Sequence, residues 1–416
     1  MNTAVLKLTI GIKNFGWAFR SLFWKKDPSV VIFGSWFGKK FADNPRFLFE
    51  YLCENKEKLG LTHVVWITRS EEVLNIVRNL GYEAYLLDSP EAIKYHKIAK
   101  YHIGNNAPAS NEPEIESELY NQLSFRAKKI NLWHGVAVIK GVSFETKEYI
   151  EKRKKYPFIY SVKESLRKNS SFYRKFFEFE GGWGDCFFIV PSAAEREKMY
   201  RSHILPEKRF IITGYARNCS CPKLTKDEEA VIDIIKGFET SIIYMPTFRT
   251  GSNTFDFRTV GEELNPFLEK ENILWIQKGH TADKHLDNYS FEKNRLCLPN
   301  DFDTNVIVPL VSILVTDYST AMTDGIYHNK PVLLYAPDYE IFSKGERGLT
   351  QDAEEIMTGC GNQYRTIEEL ETAIKKAVDN PESVKPERYY ETRNKYWGEE
   401  RSLEEIWNDI KEGVSR

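Results

Sequence analysis

Short apolar runs alternate with amphipathic stretches along most of the chain. In the first half, the runs that predict buried strands are "SVVIFGS", "HVVWIT", "EAYLLD", "KYHIGN", "KINLWHG" and "CFFIVPS". The second half restarts the rhythm with "SIIYMPTFR", "ILWIQKGH", "NRLCLP", "VSILVTD" and "PVLLYA". Helical patterns, such as 44–58 and 71–80, fall between several of these runs. Strands that alternate with helices predict parallel sheets covered on both faces, so we expect an α/β fold with two doubly wound, Rossmann-like domains and a cleft between them.

The domain boundaries follow from where this rhythm stops. The stretch "CSCPKLTKDEE", which begins at residue 219, breaks the pattern and predicts the border between the two domains. We therefore expect an N-terminal domain over 29–220 and a C-terminal domain over 221–386. The remaining segment, 387–416, has a helical pattern and is expected to pack back across both domains.

The first 28 residues predict an amphipathic helix. Its apolar positions recur three or four residues apart, as a helix requires, at Val5, Leu8, Ile12, Phe15, Phe19 and Leu22. Lys7, Lys13 and Arg20 interrupt the run, so it is not the stretch of about 18 unbroken apolar residues that spans a membrane. Two interpretations remain: a helix that lies in a membrane surface, or a helix that packs on the core of its own protein.

Charge is balanced overall but is concentrated locally. The chain has 58 Lys and Arg against 60 acids, for a formal net charge of −2. Residues 126–175 contain 14 Lys or Arg and four acids, with aromatic residues between them. Such a run indicates either a solvated face or an attraction to an anionic membrane surface. Nucleic acid is not expected as a partner, because the acidic remainder of the chain would repel it.

No residue pattern predicts a metal or a disulfide. The six cysteines are scattered and include no C-x-x-C pair, which is typical of reduced cysteines. Asp301 and Asp303 form a D-x-D, the metal-diphosphate signature of single-domain GT-A transferases. We expect Asp303 instead to cap a helix that begins at Thr304, and we expect no metal and no cofactor.

Polar residues follow the apolar runs, where the carboxyl ends of parallel strands hold ligands. Most are cationic or donate hydrogen bonds, and most fall in the second domain: His134, Thr247, Arg249, Lys278, His280, and 317–320 with Asp317, Ser319 and Thr320.

The segment "LVTDYSTAMTDGIYHNKPVLLY" (314–335) places two hydroxyls where a helix begins. The first N–H groups of a helix are unpaired and the positive end of its dipole faces the strand tip, so Ser319 and Thr320 predict an anion site suited to a diphosphate. Alternatively, one of the two hydroxyls only caps the helix. Capping alone leaves the cations at the neighbouring strand tips unexplained.

Several segments in a fixed order indicate a family. The chain resembles the CDP-glycerol glycerophosphotransferases, which include teichoic acid primases and polymerases and capsule enzymes, in "GKKFADNPRFLFEYL", "LWHGVAVIKG", "VPSAAEREKMY", "ITGYARN", "YMPTFR", "KGH", "VTDYSTAMTDGIYHNKPVLLYAPDYE" and "KGERG". The resemblance implies a two-domain GT-B fold. It also implies peripheral attachment to the cytoplasmic face of the cell membrane, where such enzymes act on undecaprenyl-diphosphate-linked acceptors.

The resemblance also implies a chemistry. A CDP-polyol, CDP-glycerol or CDP-ribitol, donates polyol phosphate to an acceptor hydroxyl, and CMP leaves. His134, in "WHG", corresponds to the general base, a role that suits an imidazole near neutral pH. Arg249 and His280 correspond to groups that hold the donor phosphates, and His280 is also expected in the catalytic site. The same donor site is expected to include Thr247, Lys278, Asp317, Ser319, Thr320 and Asp324. For Asp317 and Asp324 the alternatives are a loop-fixing carboxylate and a solvated helix residue.

Some positions depart from the family pattern. Ala216 and Cys219 replace the proline and aspartate of a family motif, and Val136-Ala137-Val138 follows "WHG" in place of Thr-Pro-Leu. The length favours a primase over a long-chain polymerase. Glycerol against ribitol, the acceptor and the oligomeric state stay open. Two other functions are kept as alternatives: a GT-B glycosyltransferase that uses a nucleotide sugar, and a non-catalytic assembly factor at the membrane.

Overall fold

The computed structural model describes residues 3–106, 117–219, 222–247, 249, 256, 259–278, 290–344 and 349–416, with side chains from residue 6 onward. The chain forms two compact units. Unit 1 comprises Met1–His134, Arg153–Thr225 and Glu399–Arg416, and unit 2 comprises Gly135–Lys152 and Lys226–Gly398. His280, one of the expected site residues, lies outside the described residues.

Unit 1 contains a seven-stranded sheet in the order β3-β2-β1-β4-β5-β6-β7. Every neighbouring pair of strands is parallel. The order reverses between β1 and β4, which is the switch point of a doubly wound sheet. The strands are β1 Asp27–Phe33, β2 His63–Thr68, β3 Ala84–Leu86, β4 Ala99–Gly104, β5 Lys128–Asn131, β6 Phe187–Val190 and β7 Phe210–Ile212.

Unit 2 contains a second seven-stranded sheet in the order β10-β11-β9-β8-β12-β13-β14. It is parallel except for the antiparallel pair β10 and β11, and its switch point lies between β8 and β12. The predicted α/β class with two doubly wound, Rossmann-like sheets is therefore confirmed. The strands are β8 Thr240–Tyr244, β9 Ile273–Lys278, β10 Ser290–Glu292, β11 Arg295–Leu298, β12 Ile313–Thr316, β13 Val332–Tyr335 and β14 Asn362–Tyr364.

Helices connect most of these strands within the described residues. They are α1 Thr3–Ser21, α2 Asp43–Glu54, α3 Lys56–Leu59, α4 Glu71–Asn79, α5 Pro90–Ile98, α6 Lys147–Lys155, α7 Pro157–Asn169, α8 Ser171–Tyr173, α9 Ala193–His203, α10 Lys226–Lys236, α11 Val260–Glu263, α12 Asn265–Lys270, α13 Ala321–Tyr327, α14 Tyr339–Lys344, α15 Ala353–Cys360, α16 Ile367–Asp379, α17 Tyr389–Trp397 and α18 Leu403–Gly413. The segment expected over 387–416 divides, since α17 belongs to unit 2 and α18 to unit 1.

Local sequence explains where the helices begin and which face they bury. Helix α16 begins after Thr366, whose hydroxyl accepts the N–H of Glu369 while the carboxylate of Glu369 accepts the N–H of Thr366, a capping box. Its apolar residues recur at helical spacing and pack into the core of unit 2 beside β13. Helix α18 likewise begins after a second capping box, formed by Ser402 and Glu405.

Helix α1 turns its apolar stripe outward. Leu8, Ile12, Phe15, Phe19 and Leu22 are exposed, with Phe19 65% accessible. The opposite face carries Asn14, whose amide donates to the carbonyls of Lys175, Phe176 and Phe179 and accepts the N–H of Gly181 at 2.9 Å. The helix therefore does pack on its own unit, but through the face that carries Ile10 and Asn14, while the apolar stripe is left exposed. None of the described helices is long and apolar enough to span a bilayer.

The buried histidines of unit 1 predict a loss of stability in mild acid. Burial lowers the pKa of His96 to about 4 and that of His203 to about 3, and it also lowers the pKa of His102. As the pH falls, histidines in the unfolded chain take up protons near their ordinary pKa of 6.5, before the buried histidines of the folded protein do. The contribution of these histidines to the free energy of unfolding is therefore fully present above about pH 6.5. The free energy of unfolding is expected to fall below that pH by about 1 kcal/mol per pH unit for each histidine.

Urea unfolding at several pH values measures this slope. His96→Gln is expected to flatten it, because the His96 Nδ1–H donates to the carbonyl of Ala92 and the Nε2 accepts the N–H of Tyr120, an arrangement only the neutral ring satisfies. His63→Gln, at a partly exposed position in strand β2 of the same unit, is the control and is expected to leave the slope unchanged. Equal slopes in all three proteins would contradict the assignment.

Candidate active site

His134 lies beside the switch point of the first sheet, in the loop after β5, the strand that neighbours β4. Its Nδ1 is 3.3 Å from the carbonyl oxygen of Asn105, the residue that follows β4. A carbonyl only accepts, so the Nδ1 carries the proton and the Nε2 is the basic nitrogen of the ring. The rings of Trp36 and Trp133 lie 5.0 and 4.6 Å from the imidazole. The imidazole is thus half-buried and is fixed in one tautomer.

A buried ion pair holds the backbone of this loop. Arg217 donates from Nη1 to the carboxylate of Asp43 at 2.7 Å and to the carbonyl of His134 at 2.8 Å. The amide of Asn105 donates to the other oxygen of Asp43, and Asn44 donates to the carbonyl of Trp133 at 3.1 Å. Each of these side chains lies in unit 1. Together they connect the loops after β1, β4 and β5 and the turn after β7.

Several residues of these loops have left-handed backbone conformations that side chains rarely adopt. The φ angle is +45° at Trp36, +62° at Phe37, +63° at Asp43 and +54° at Trp133. Such conformations cost of order 1–3 kcal/mol each and persist only where the surroundings enforce them. Their concentration around His134 marks this loop cluster as a candidate functional site.

The second switch point is built around Asp317. Its carboxylate accepts the N–H of Thr247 at 2.9 Å and the N–H of Tyr318, so it joins the loop after β8 to the loop after β12. The carboxylate is fully buried. Asp317 therefore fixes the loop conformation, which was one of the two interpretations of this residue.

Arg249 lies between two carboxylates in unit 2. Its guanidinium donates from Nη1 to Asp317 at 2.7 Å, and from Nε and Nη2 to the two oxygens of Asp338 at 2.8 and 3.0 Å. Burial lowers the pKa of Arg249, but the two carboxylates outweigh it and the net shift is upward. The rings of Tyr318 and Phe342 each lie 5.2 Å from the guanidinium carbon. These four groups hold Arg249 rigidly.

Ser319 and Thr320 lie half-buried at the start of α13. The Ser319 hydroxyl accepts the N–H of Ala321 at 3.3 Å, so it does cap the helix, whereas the Thr320 side chain makes no capping bond. A Cβ placed on Gly135 would lie 3.1 Å from the Thr320 methyl and 3.2 Å from its hydroxyl. The glycine of "WHG" therefore packs directly on Thr320.

The remaining expected residues are spread over unit 2. Lys278 ends β9 and is half-buried, Asp324 lies within α13, and Thr247 is buried after β8. No group of three metal-ligating side chains occurs among the described residues. Asp303 accepts the N–H of Asn305 at 3.1 Å and caps a short 3-10 turn that begins at Thr304, so the predicted capping role is confirmed.

One departure from the family pattern has a visible consequence. Cys219 donates from Sγ to the carbonyl of Arg401 at 2.9 Å, in the segment that precedes α18. Burial raises the pKa of this thiol to about 12. The position that carries an aspartate in the family pattern is therefore occupied by a neutral group that contacts backbone.

The sequence interpretation missed the supporting residues Asp43, Asn44, Asn105, Arg217 and Asp338. Most of these lie in the quoted segments "GKKFADN", "ITGYARN" and "YAPDYE". Their position in those segments was the available signal. Their role was not visible because each contacts a residue far away in the chain.

Comparisons with known proteins agree with this architecture. Two doubly wound sheets with polar residues at both switch points define an α/β protein of the GT-B class. The sequence matches the CDP-glycerol:poly(glycerophosphate) glycerophosphotransferase family over residues 17–412, and the chain belongs to that family. The predicted family is thus confirmed, and with it the enzyme class, a glycerophosphotransferase.

Individual relatives are distant. The chain is 25% identical over 377 residues to a teichoic acid poly(glycerol phosphate) polymerase of Bacillus spizizenii, with 88% of each chain covered. It is 23% identical over 400 residues to a teichoic acid glycerol-phosphate transferase of Staphylococcus aureus, covering 91% of this chain and 90% of the relative. It spans only 48% of the Bacillus subtilis polymerase. The solved wall teichoic acid polymerase TagF shares the fold, with a TM-score of 0.65, 17% identity, and 99% and 97% of the two chains covered. The predicted GT-B fold is confirmed.

The geometry of Arg249 predicts a structural role for this residue. Arg249→Ala leaves the carboxylates of Asp317 and Asp338 buried without their shared cation, which costs roughly 3–5 kcal/mol. We therefore expect a clear drop in the free energy of unfolding, measured in urea. Lys278→Ala removes a half-buried cation from a strand end of the same unit and is expected to cost much less. An Arg249→Ala protein of unchanged stability that binds CDP-glycerol more weakly would return Arg249 to direct phosphate contact.

Proposed function

We propose that the protein transfers glycerol phosphate from CDP-glycerol to a hydroxyl of an undecaprenyl-diphosphate-linked acceptor and releases CMP, in the synthesis of a teichoic acid or related capsule polymer. Membership in the glycerophosphotransferase family supports the reaction class. The observation that carries the proposal is His134, whose basic Nε2 is defined by the bond from Nδ1 to a carbonyl at a sheet switch point. Glycerol is favoured over ribitol, because the relatives that cover most of this chain are named for glycerol phosphate.

The reaction balances with a single base. The acceptor oxygen forms a bond to the phosphorus that carries the glycerol. The bond from that phosphorus to the bridging oxygen breaks, and CMP departs with the bonding pair. The acceptor proton passes to Nε2 of His134. An imidazole suits this step, because it is the side chain that accepts and releases protons near physiological pH.

The donor phosphates are assigned to the second switch point. The hydroxyl of Thr320 makes no capping bond, and the buried Thr247 hydroxyl has no hydrogen-bond partner in the described part of the chain. We assign both hydroxyls, with the N–H groups at the start of α13, as donors that stabilise the charge on the departing CMP. We assign Arg249 to positioning, because it holds the two loops through Asp317 and Asp338.

We further propose that unit 1 lies on an anionic membrane surface at the cytoplasmic face, without crossing the bilayer. The outward stripe of α1 continues through Phe15 to Phe172, whose rings are 6.0 Å apart. Helix α7 adds the exposed apolar residues Phe158, Ile159, Val162 and Leu166. The lysines and arginines of 126–175 surround these side chains in the sequence and add electrostatic attraction.

His134→Ala tests the base. Because the variant loses the proton acceptor but no donor contact, its turnover is expected to fall by about 10² to 10⁴ with CDP-glycerol affinity unchanged. The measurements are CMP release with a lipid-linked acceptor and calorimetric binding of CDP-glycerol. His63→Ala, which removes a histidine at β2 of the same sheet, is expected to keep full turnover.

Two results would overturn this assignment. Donor affinity lost in parallel with rate would place His134 in the donor site. Nucleotide release from UDP-sugars but not from CDP-glycerol by the wild-type protein would favour the alternative, a GT-B glycosyltransferase.

The membrane proposal predicts a two-part response. Attraction between exposed charges is screened by salt and burial of apolar groups is not, so high salt is expected to release only part of the protein from anionic vesicles. Ile12→Ser/Phe19→Ser removes two outward side chains of α1 and is expected to release most of the remainder in a flotation assay. Leu310→Ser/Ile341→Ser, at exposed positions of unit 2, is the matched control and is expected to float as the wild type does. Failure of the wild type to float at low salt would contradict the proposal.

A further inference from the structure

Unit 1 has a basic cavity at the amino-terminal ends of its strands, whereas His134 lies at their carboxyl ends. The cavity has a volume of about 350 Å³ and lies where β5, β6 and β7 begin. Its charged lining consists of five cations and one acid, Arg126, Lys128, Lys129, Lys175, Arg209 and Asp185. His134 follows the other end of β5, roughly 13 Å away by the rise of a four-residue strand. The cavity is therefore distinct from the candidate active site.

Asp185, the single acid in the cavity lining, is already paired with other side chains of unit 1. Asp185 accepts hydrogen bonds from Arg174 at 2.7 Å and from Ser171 at 2.9 Å, and it also pairs with Arg209. Lys175 is 3.9 Å from the same carboxylate. One carboxylate engaged by three cations does not neutralise the others, so among the described residues the cavity keeps an excess of positive charge.

The cations of the cavity repel one another. Burial lowers the pKa of Lys129 to about 7, with Asp185 opposing the shift and Lys175 and Arg209 adding to it. The neighbouring Lys26 also has its pKa lowered to about 7, by burial and then by Lys129 and Arg126. An anion placed among these groups would relieve the repulsion.

One donor in the lining has no partner. The Nε of Arg209 is buried and makes no hydrogen bond to any described residue, while the guanidinium lies 4.4 Å from the ring of Phe187. A buried donor without a partner costs about 1–3 kcal/mol, so the guanidinium of Arg209 keeps unused hydrogen-bonding capacity beside the cavity.

We propose that this cavity binds a phosphate group. Arginine and lysine donors around a pocket recognise phosphate oxygens, whether the phosphate is a lipid headgroup or a free ion. The lipid source is favoured by what adjoins the cavity. Arg126 donates to the carbonyls of Ser21, Leu22 and Trp24 at the end of α1, at 3.2–3.3 Å. The phosphate therefore binds beside the helix whose apolar stripe faces outward, and this choice of source rests on the proposed membrane attachment.

Calorimetry with two soluble probes tests the site and separates the sources. The probes are dihexanoyl phosphatidic acid below its micelle concentration and inorganic phosphate. Lys128→Gln/Lys175→Gln is expected to weaken binding of the lipid at least tenfold, since each lysine near a phosphate contributes about fivefold. Lys154→Gln/Lys155→Gln removes the same charge from exposed positions of α6 and is expected to change binding less than twofold.

Each outcome decides a point. Binding of the lipid far more tightly than inorganic phosphate assigns the site to a headgroup, and equal binding assigns it to free phosphate. No binding by the wild type, or equal weakening in both double variants, overturns the proposal. CMP release with a soluble acceptor analogue is expected to be unchanged in Lys128→Gln/Lys175→Gln, because both lysines lie at the opposite end of β5 from His134. Absence of CMP release in the wild type would count against the proposed reaction alone.

Discussion

A buried arginine holds together the loops at the carboxyl end of each sheet. In unit 1, Arg217 joins Asp43 to the carbonyl of His134, and in unit 2, Arg249 joins Asp317 to Asp338. Parallel sheets leave their strand ends in separate loops, and those loops have no ladder of hydrogen bonds to fix them. A guanidinium supplies several donors in a fixed plane, so one side chain can fix two loops at once. The desolvation cost of burying these charges is met only because each arginine has a carboxylate and further acceptors in contact.

The cations at the amino-terminal ends of β5, β6 and β7 do not each have a carboxylate partner among the described residues. Asp185 serves Arg174 and Arg209, and Lys129 is left to donate to three carbonyls. The two edges of the sheet therefore differ in kind. Charges near His134 are neutralised within the protein and make a rigid site, whereas charges in the cavity exceed their partners and suit an anion from outside. This contrast is the basis for the positioning role assigned to Arg217 and Arg249 and for the anion site proposed at the cavity.

The central strands were predictable because parallel strands buried on both faces are continuous apolar runs. The three-residue strands β7, β10 and β14 were not predicted, and those of the second sheet carry exposed or polar residues such as Asn362 and Gln363. The ends of these strands were equally predictable, so the positions of His134, Thr247 and Asp317 just after β5, β8 and β12 were predicted correctly. The side chains that contact these residues were not predicted. Whether Arg249 faces a phosphate or a carboxylate depends on Asp338, which is 89 residues away. In α1 the spacing of apolar residues predicted an apolar stripe, but which side of the helix faces outward depends on contacts such as those of Asn14, which the spacing does not reveal.

The left-handed residues around His134 connect this rigidity to function. Trp36 and Asp43 follow β1 and Trp133 follows β5, and no glycine relieves the backbone at these three positions. A loop free to relax would not keep such conformations, so the contacts of Asp43 and Asn44 must outweigh the strain. What the strain secures is a single position for the His134 carbonyl and hence for its ring. The proposed role of His134 as a base requires its ring nitrogen to be placed to within a fraction of an ångström, and the strained, ion-paired loop fixes the ring before any substrate binds.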